Sequence, residues 1–302
     1  MPPPDPSLDD PARLRALVSL LADANPRVCA EARRALLQHG SYATAVLDEA
    51  VEGGDARVRA RARLLRDELR LQSLEAEMRR LGERIDHDDG ALEEGCILLA
   101  RTRSPDVDAD AVRAGLDAMA DDLGMRLGTA REPAVVVDVM ARLLARELGF
   151  QGNQRNYYDP ENCLIDRVLA RRLGIPLSLC AIWLFVARRL EIPLVGIGLP
   201  GHFLVKHVGD APGIFADPFH GGQVFGERQC RRYFEERSIE FDPSFLQPMT
   251  DGAMLLRMMR NLVQMHRSRG DVARIQLLQR LKRNLIGEEV ERPELGAGES
   301  ER

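Results

Sequence analysis

Gly174-Ile175-Pro176-Leu177-Ser178-Leu179-Cys180 opens a run that stays apolar through Trp183 and Phe185 to Ala187. Proline suits the first turn of a helix, and the run is too long and too continuous for one strand, so a buried helix is predicted over residues 177–190. Beyond it, glycine and proline separate three short β-rich stretches, residues 194–197, 203–208 and 214–216. His202 heads the second stretch in Pro200-Gly201-His202-Phe203-Leu204-Val205-Lys206, and Asp217 ends the third in Phe215-Ala216-Asp217-Pro218. A helix, a strand led by histidine and a strand closed by aspartate form the layout of a thiol-activating site. There an imidazole takes the proton of a cysteine at a helix N-terminus, and a carboxylate orients the imidazole. The 15-residue spacing of His202 and Asp217 fits neighbouring strands joined by the turn Gly209-Asp210-Ala211-Pro212-Gly213.

The chain has 302 residues, 45% of them hydrophobic, enough for two or three structural units. Its net charge of -5 disfavours a globally electrostatic nucleic-acid binder. Of 42 basic residues only Lys206 and Lys282 are lysines, so arginine runs reflect composition more than phosphate binding. The run Arg57, Arg59, Arg61, Arg63, Arg66 is interleaved with Asp55, Asp67 and Glu68 and reads as a solvated helix face. Five widely spaced cysteines without a CxxC pair suit a reduced compartment, and the N-terminus has no signal-peptide pattern. The apolar run 177–187 is too short to span a bilayer. A cytoplasmic protein that binds neither membrane nor nucleic acid is expected.

Outward from the centre, helices dominate. Arg27-Val28-Cys29-Ala30-Glu31-Ala32-Arg33 recurs 30 residues later as Arg57-Val58-Arg59-Ala60-Arg61-Ala62-Arg63, with five of seven positions identical. Each copy is predicted as two helices, the first with stripe Leu14, Leu17, Val18 and Leu21, a turn at Asn25-Pro26, and a second stripe at Val28, Ala32, Ala35 and Leu36. Such pairs resemble HEAT-type repeats, which stack because one pair cannot cover its own apolar face. Residues 251–285 form another amphipathic pair, hinged at Gly270-Asp271 and of about tetratricopeptide length. The predicted organisation is 1–83 helical repeats, 84–248 core with helical lead-in, 249–286 helical pair and 287–302 a disordered acidic tail.

The motifs Gly149-Phe150-Gln151-Gly152-Asn153, Asn156-Tyr157-Tyr158-Asp159-Pro160-Glu161-Asn162, Val168-Leu169-Ala170-Arg171-Arg172-Leu173-Gly174-Ile175-Pro176-Leu177-Ser178-Leu179, Pro200-Gly201-His202-Phe203-Leu204-Val205 and Asp217-Pro218-Phe219 resemble the bacterial SirB family, whose core is described as transglutaminase-like. The resemblance covers roughly residues 86–285. It implies an α+β, mostly helical protein: a papain- or transglutaminase-like core with a long buried helix packed on a small antiparallel sheet, flanked by helical repeats. It implies no firm reaction.

Active transglutaminase-like domains carry Gly-x-Cys at the start of the core helix. Counting back without gaps from the helix exit at Leu190-Glu191-Ile192-Pro193 puts the nucleophile column at Pro176, which has no nucleophile. Ser178 is about 200° around the helix from that position, whereas Cys180 shares its face, displaced by roughly 6 Å along the axis. Cys163, expected at the start of a helix running to Leu173 and capped by Asn162, is a second candidate thiol, because helix N-termini lower thiol pKa values. The plainer expectation for both is a small core residue. His202 and Asp217 are the candidate catalytic pair. Gly201, Ser178 and the loop residues Asn156, Tyr157, Tyr158, Asp159 and Asn162 are candidate cleft residues. His207 and His220 flank the same region, but no HExxH-like spacing appears, and no metal or cofactor is expected. His39, His87 and His266 are expected on the surface, and Trp183 in the core.

Two functions are compatible with these residues. One is a non-catalytic module, a pseudoenzyme gripping a protein or peptide partner through its helical repeats while keeping a His/Asp cleft without its thiol. The other is a cysteine hydrolase or acyltransferase in which Cys180 or Cys163 attacks, His202 is the general base and Asp217 orients it.

Overall fold

The structure is a computed structural model that describes residues 10–209, 213–236, 238 and 240–288. The predicted tail beyond residue 288 and the centre of the 209–213 turn lie outside the described residues. The chain divides into two compact units, Met1–Glu77 and Met78–Arg302.

The first unit contains α1 (Pro11–Leu20), α2 (Pro26–His39), α3 (Ser41–Val51) and most of α4 (Ala56–Gly82). The repeat is visible in how its helices begin. Asn25 accepts a hydrogen bond from Arg27 N–H at the start of α2. Thirty residues later Asp55 accepts from Arg57 and Val58 N–H at the start of α4. Both are N-caps, satisfying amides that a helix start leaves without partners. The equivalent alanines Ala32 and Ala62 are both buried, in a cluster that includes Leu14, Val18, Leu21, Leu36 and Leu47.

In the second unit, α5 (Ala91–Arg101) ends before Ser104-Pro105, and Asp108 caps α6 (Ala109–Leu127). Then α7 (Pro133–Met140) runs into a π-helical turn over Ala141–Glu147. Gln151–Gly152 (β1) pairs in parallel with Leu173–Gly174 (β2), bracketing a 3-10 turn, Pro160–Asn162, and α8 (Ile165–Arg171). The predicted helix over 163–173 is therefore shorter at both ends. Arg172 takes the left-handed conformation (φ 60°) that closes it, ahead of the glycine expected to do so.

The core helix α9 (Pro176–Arg189) is buried at every position from Pro176 to Ala187, Trp183 included. A helix apolar on all sides must be covered on all sides. One cover is a four-stranded antiparallel sheet in the order β3-β4-β5-β6: Leu194–Leu199, His202–His207, Ile214–Asp217 and Gln223–Phe225. Helices α10 (Glu227–Glu235), α11 (Asp251–Ser268) and α12 (Val272–Ile286) complete the unit. The fold is thus mostly helical α+β, with a long buried helix on a small antiparallel sheet. Among the described residues, no helix is long and apolar enough to cross a membrane.

Two histidines correct or refine the sequence reading. His266, expected on the surface, is buried on α11, with Nδ1 3.3 Å from Asp271 Oδ2. His207 is buried at the end of β4, its Nδ1 has no hydrogen-bond partner among the described residues, and burial pushes its pKa down. A base whose folded pKa lies below its unfolded value of about 6.5 contributes stability that is present above that value and lost as pH falls through the folded one. Denaturation midpoints are accordingly expected to fall from about pH 7 to about pH 5, with a shallower fall in His207→Leu. Equal slopes for the two proteins would exclude His207 as a contributor.

Candidate functional site

The β3–β4 hairpin presents His202. Its turn is Pro200-Gly201, and Gly201 has φ 73°, a conformation in which an L side chain is strained. A Cβ built at Gly201 meets nothing within 4 Å. Gly201→Ala is therefore expected to cost about 1–2 kcal/mol through backbone strain alone, measured by denaturant unfolding. The hairpin is braced from behind by Arg257, which donates to the carbonyls of Leu199 (2.9 Å) and His202 (2.7 Å). From α10, Tyr233 donates its hydroxyl to Pro200 O and stacks its ring on His202, with centroids 5.9 Å apart.

His202 Nε2 lies 2.7 Å from Asp217 Oδ2 at the end of β5. The structure thus brings together the pair that sequence spacing suggested. It also adds a partner. Chain leaving β5 turns through the 3-10 segment Pro218–His220, and His220 Nδ1 returns to the same Oδ2 at 2.7 Å. The other oxygen, Oδ1, accepts from the N–H groups of Phe219 (3.0 Å) and His220 (3.2 Å). Burial alone would push the Asp217 carboxyl up. The hydrogen bonds and charge of His202 and His220 outweigh it and hold the carboxyl below its usual range. These side chains line a cavity of about 610 Å³ together with Gln223, Gln229 and Tyr233.

The thiols lie elsewhere. Cys180 is fully buried on α9 and its Sγ is 3.5 Å from the carbonyl oxygen of Phe203. Burial, reinforced by the negative charge of Asp217, raises its pKa well above the ordinary value. Cys163 is not at the start of a helix. It follows the 3-10 turn, is buried against Met265 with sulfurs 3.6 Å apart, and burial raises its pKa too. Among the described residues, no hydrogen bond joins either thiol to an imidazole. All five cysteines are free.

The 153–162 loop is organised by a buried amide pair. Asn162, fully buried, donates to the carbonyls of Asn156 (2.7 Å) and Tyr157 (3.1 Å) and accepts from Asn153 Nδ2 (3.0 Å). It does not cap α8 as the sequence suggested; α8 starts at Ile165 with no side-chain cap. Ser178 is buried beneath the same loop, donating to Asn162 O (2.5 Å) and accepting from Ile175 N–H (3.1 Å), half of a capping box that fixes the first turn of α9. Pro176 is the first residue of that turn. Asp159 bonds Arg171 (3.1 Å) and Arg269 (3.3 Å). Tyr157 is half-buried, with its ring edge-on to Phe219, whose ring also meets His202. Asn156 and Tyr158 are exposed. His220, which the sequence shows flanking this region but does not place in the site, had a legible signal, the Asp-x-x-His spacing that a tight turn brings back on itself. Tyr233 and Arg257 come from distant helices and left none.

A helix-on-sheet core with a histidine–aspartate pair on adjacent strands defines the papain- and transglutaminase-like class. The family model of the transglutaminase-like superfamily matches residues 110–260, 151 of 302. The chain belongs to the transglutaminase-like superfamily. It is similar to a UPF0162 protein of Xylella fastidiosa (33% identical over 175 residues, 55% of this chain and 61% of the relative). It is also similar to a UPF0162 protein of Vibrio cholerae (33% over 138 residues, 45% and 51%). Human F-box only protein 21 shares a shorter stretch, 35% identical over 103 residues, 32% of this chain and 16% of that protein. The chain thus spans less than two thirds of the length of each of these relatives. No solved structure matches it.

Proposed function

We propose that this chain is a SirB-type transglutaminase-like protein acting as a non-catalytic interaction or regulatory module. It keeps the His202/Asp217 cleft without the nucleophile and meets a protein or peptide partner through HEAT-like helices over 1–83 and a tetratricopeptide-like pair over 249–286. The core with its helical lead-in spans 84–248, and the setting is the cytoplasm. The observation that carries this reading is the placement of sulfur. The first turn of α9 offers proline, and the thiols at 163 and 180 are buried, bonded elsewhere and shifted away from ionisation. A nucleophile needs a thiolate poised against its base, and neither thiol meets that need.

The N-terminal helices also carry large exposed side chains, Tyr42 and Leu64, which fit a protein-binding surface. Affinity capture with the intact chain and with a Tyr42→Glu/Leu64→Glu chain tests the reading. Specific proteins held by the first and lost by the second are expected. Equal capture by both would remove the N-terminal helices from recognition.

A further inference from the structure

The second imidazole beside Asp217 has no part in a vacated thiol site, and it points to a different chemistry. His202, Asp217 and His220 each present one ligand atom, and these atoms lie within 4.8 Å of one another. Both imidazole nitrogens converge on one oxygen, Asp217 Oδ2, at 2.7 Å. Oδ1 is occupied by two backbone N–H groups, so the carboxylate is held with Oδ2 directed at the two rings. Fixing the far atom of a ligand is how proteins orient metal-binding side chains.

The dimensions suit a small cation. Zinc bonds to nitrogen and oxygen are about 2.0–2.2 Å, which places tetrahedral ligand atoms about 3.3 Å apart. The nitrogen–oxygen contacts must therefore open by roughly 0.6 Å each; His220, whose side chain is 50% exposed on a short turn, moves freely, and the buried His202–Asp217 pair has to part by the same amount as the ion enters. On binding, each ring carries its N–H on its other nitrogen and presents a lone pair to the ion; no redox change is involved. The adjoining cavity leaves room for water or a carbonyl oxygen in the remaining coordination. Cys230 also lines the cavity but is not among the ligand atoms that converge within 4.8 Å, so the donor set is two nitrogens and an oxygen. Imidazole with carboxylate suits a borderline divalent ion and disfavours soft cuprous copper.

We propose that His202, Asp217 and His220 bind one divalent transition ion of the zinc class, with an open coordination position facing the cavity. The test uses the full chain, freed of any affinity tag, equilibrated with Zn²⁺, then assayed for bound metal and titrated against a chromophoric chelator. One ion per chain is expected. His220→Gln should weaken binding at least tenfold while the metal-free protein still unfolds cooperatively, and His87→Gln should bind as the parent does. His202→Gln should weaken binding to a similar degree; if that variant fails to fold, His220→Gln carries the test alone. Failure to retain zinc would overturn the proposal, as would retention that His220→Gln leaves unaltered, which marks adventitious binding. In either case His220 is only a second hydrogen-bond partner of Asp217.

Discussion

A Pro176→Cys chain is expected to carry a thiol that ionises at about 3.5–7.5, where an ordinary cysteine ionises near about 8.5. At about pH 6.5 that raises the thiolate fraction tenfold or more, readable from the ultraviolet absorbance of the thiolate. The physical reasons are local. Position 176 is itself buried, which opposes ionisation, but it is the first residue of α9, where unpaired amides and the helix dipole favour negative charge strongly enough to outweigh desolvation. If position 176 is the nucleophile column, His202 supplies the base, already oriented by Asp217 at 2.7 Å. Adding His202→Gln should return the thiol toward its ordinary range. A thiol at 176 that titrates at about 8.5 or higher would mean that the column has been misplaced. The native cysteines make the contrast: Cys180 lies a turn further into the helix, beyond the free amides, with its sulfur against a strand carbonyl.

The second large effect is structural. Asn162→Ala is expected to lower stability by about 3 kcal/mol or more, read as a reduced denaturation midpoint at unchanged slope. The amide of Asn162 serves two partly buried loop carbonyls and one buried side-chain amide. Removing it leaves the buried amide without its acceptor, at roughly 1–3 kcal/mol, and the two carbonyls add smaller losses. The same substitution loosens the platform under Ser178, and so the first turn of α9. Asn162→Asp keeps the shape and the acceptor but loses both donated bonds, so it too should destabilise. A change below about 0.5 kcal/mol in either variant would show that the network contributes little.

Legibility in the sequence depended on range. Helix α9 was readable because continuous apolar character between Pro176 and Ala187 admits few alternatives, and the strands because Pro200-Gly201 and Pro218 punctuate them. His202 and Asp217 were readable because one hairpin connection separates them. Asn162 was misread because asparagine before an apolar run satisfies the local rule for a cap. The competing demand came from Asn153 and two loop carbonyls, and only the folded chain brings these together. His266 was misread because its polar ring suggested the surface, although its position continues the apolar stripe of Leu255, Met259 and Leu262 on α11. The short strand Gln223–Phe225 lacked a strong pattern of its own and is defined by pairing with β5. His220 was noticed but not placed, since motif spacings for metal sites describe helices and loops, not a single 3-10 turn after a strand.

The most direct test of a thiol-dependent scaffold without its attacking sulfur is residue-resolved alkylation of the native protein by iodoacetamide across pH, followed by mass spectrometry. Neither Cys163 nor Cys180 is expected to be modified below about pH 7, and His202→Gln should change nothing there. Modification of Cys180 below about pH 7 that disappears in His202→Gln would contradict the loss of the nucleophile.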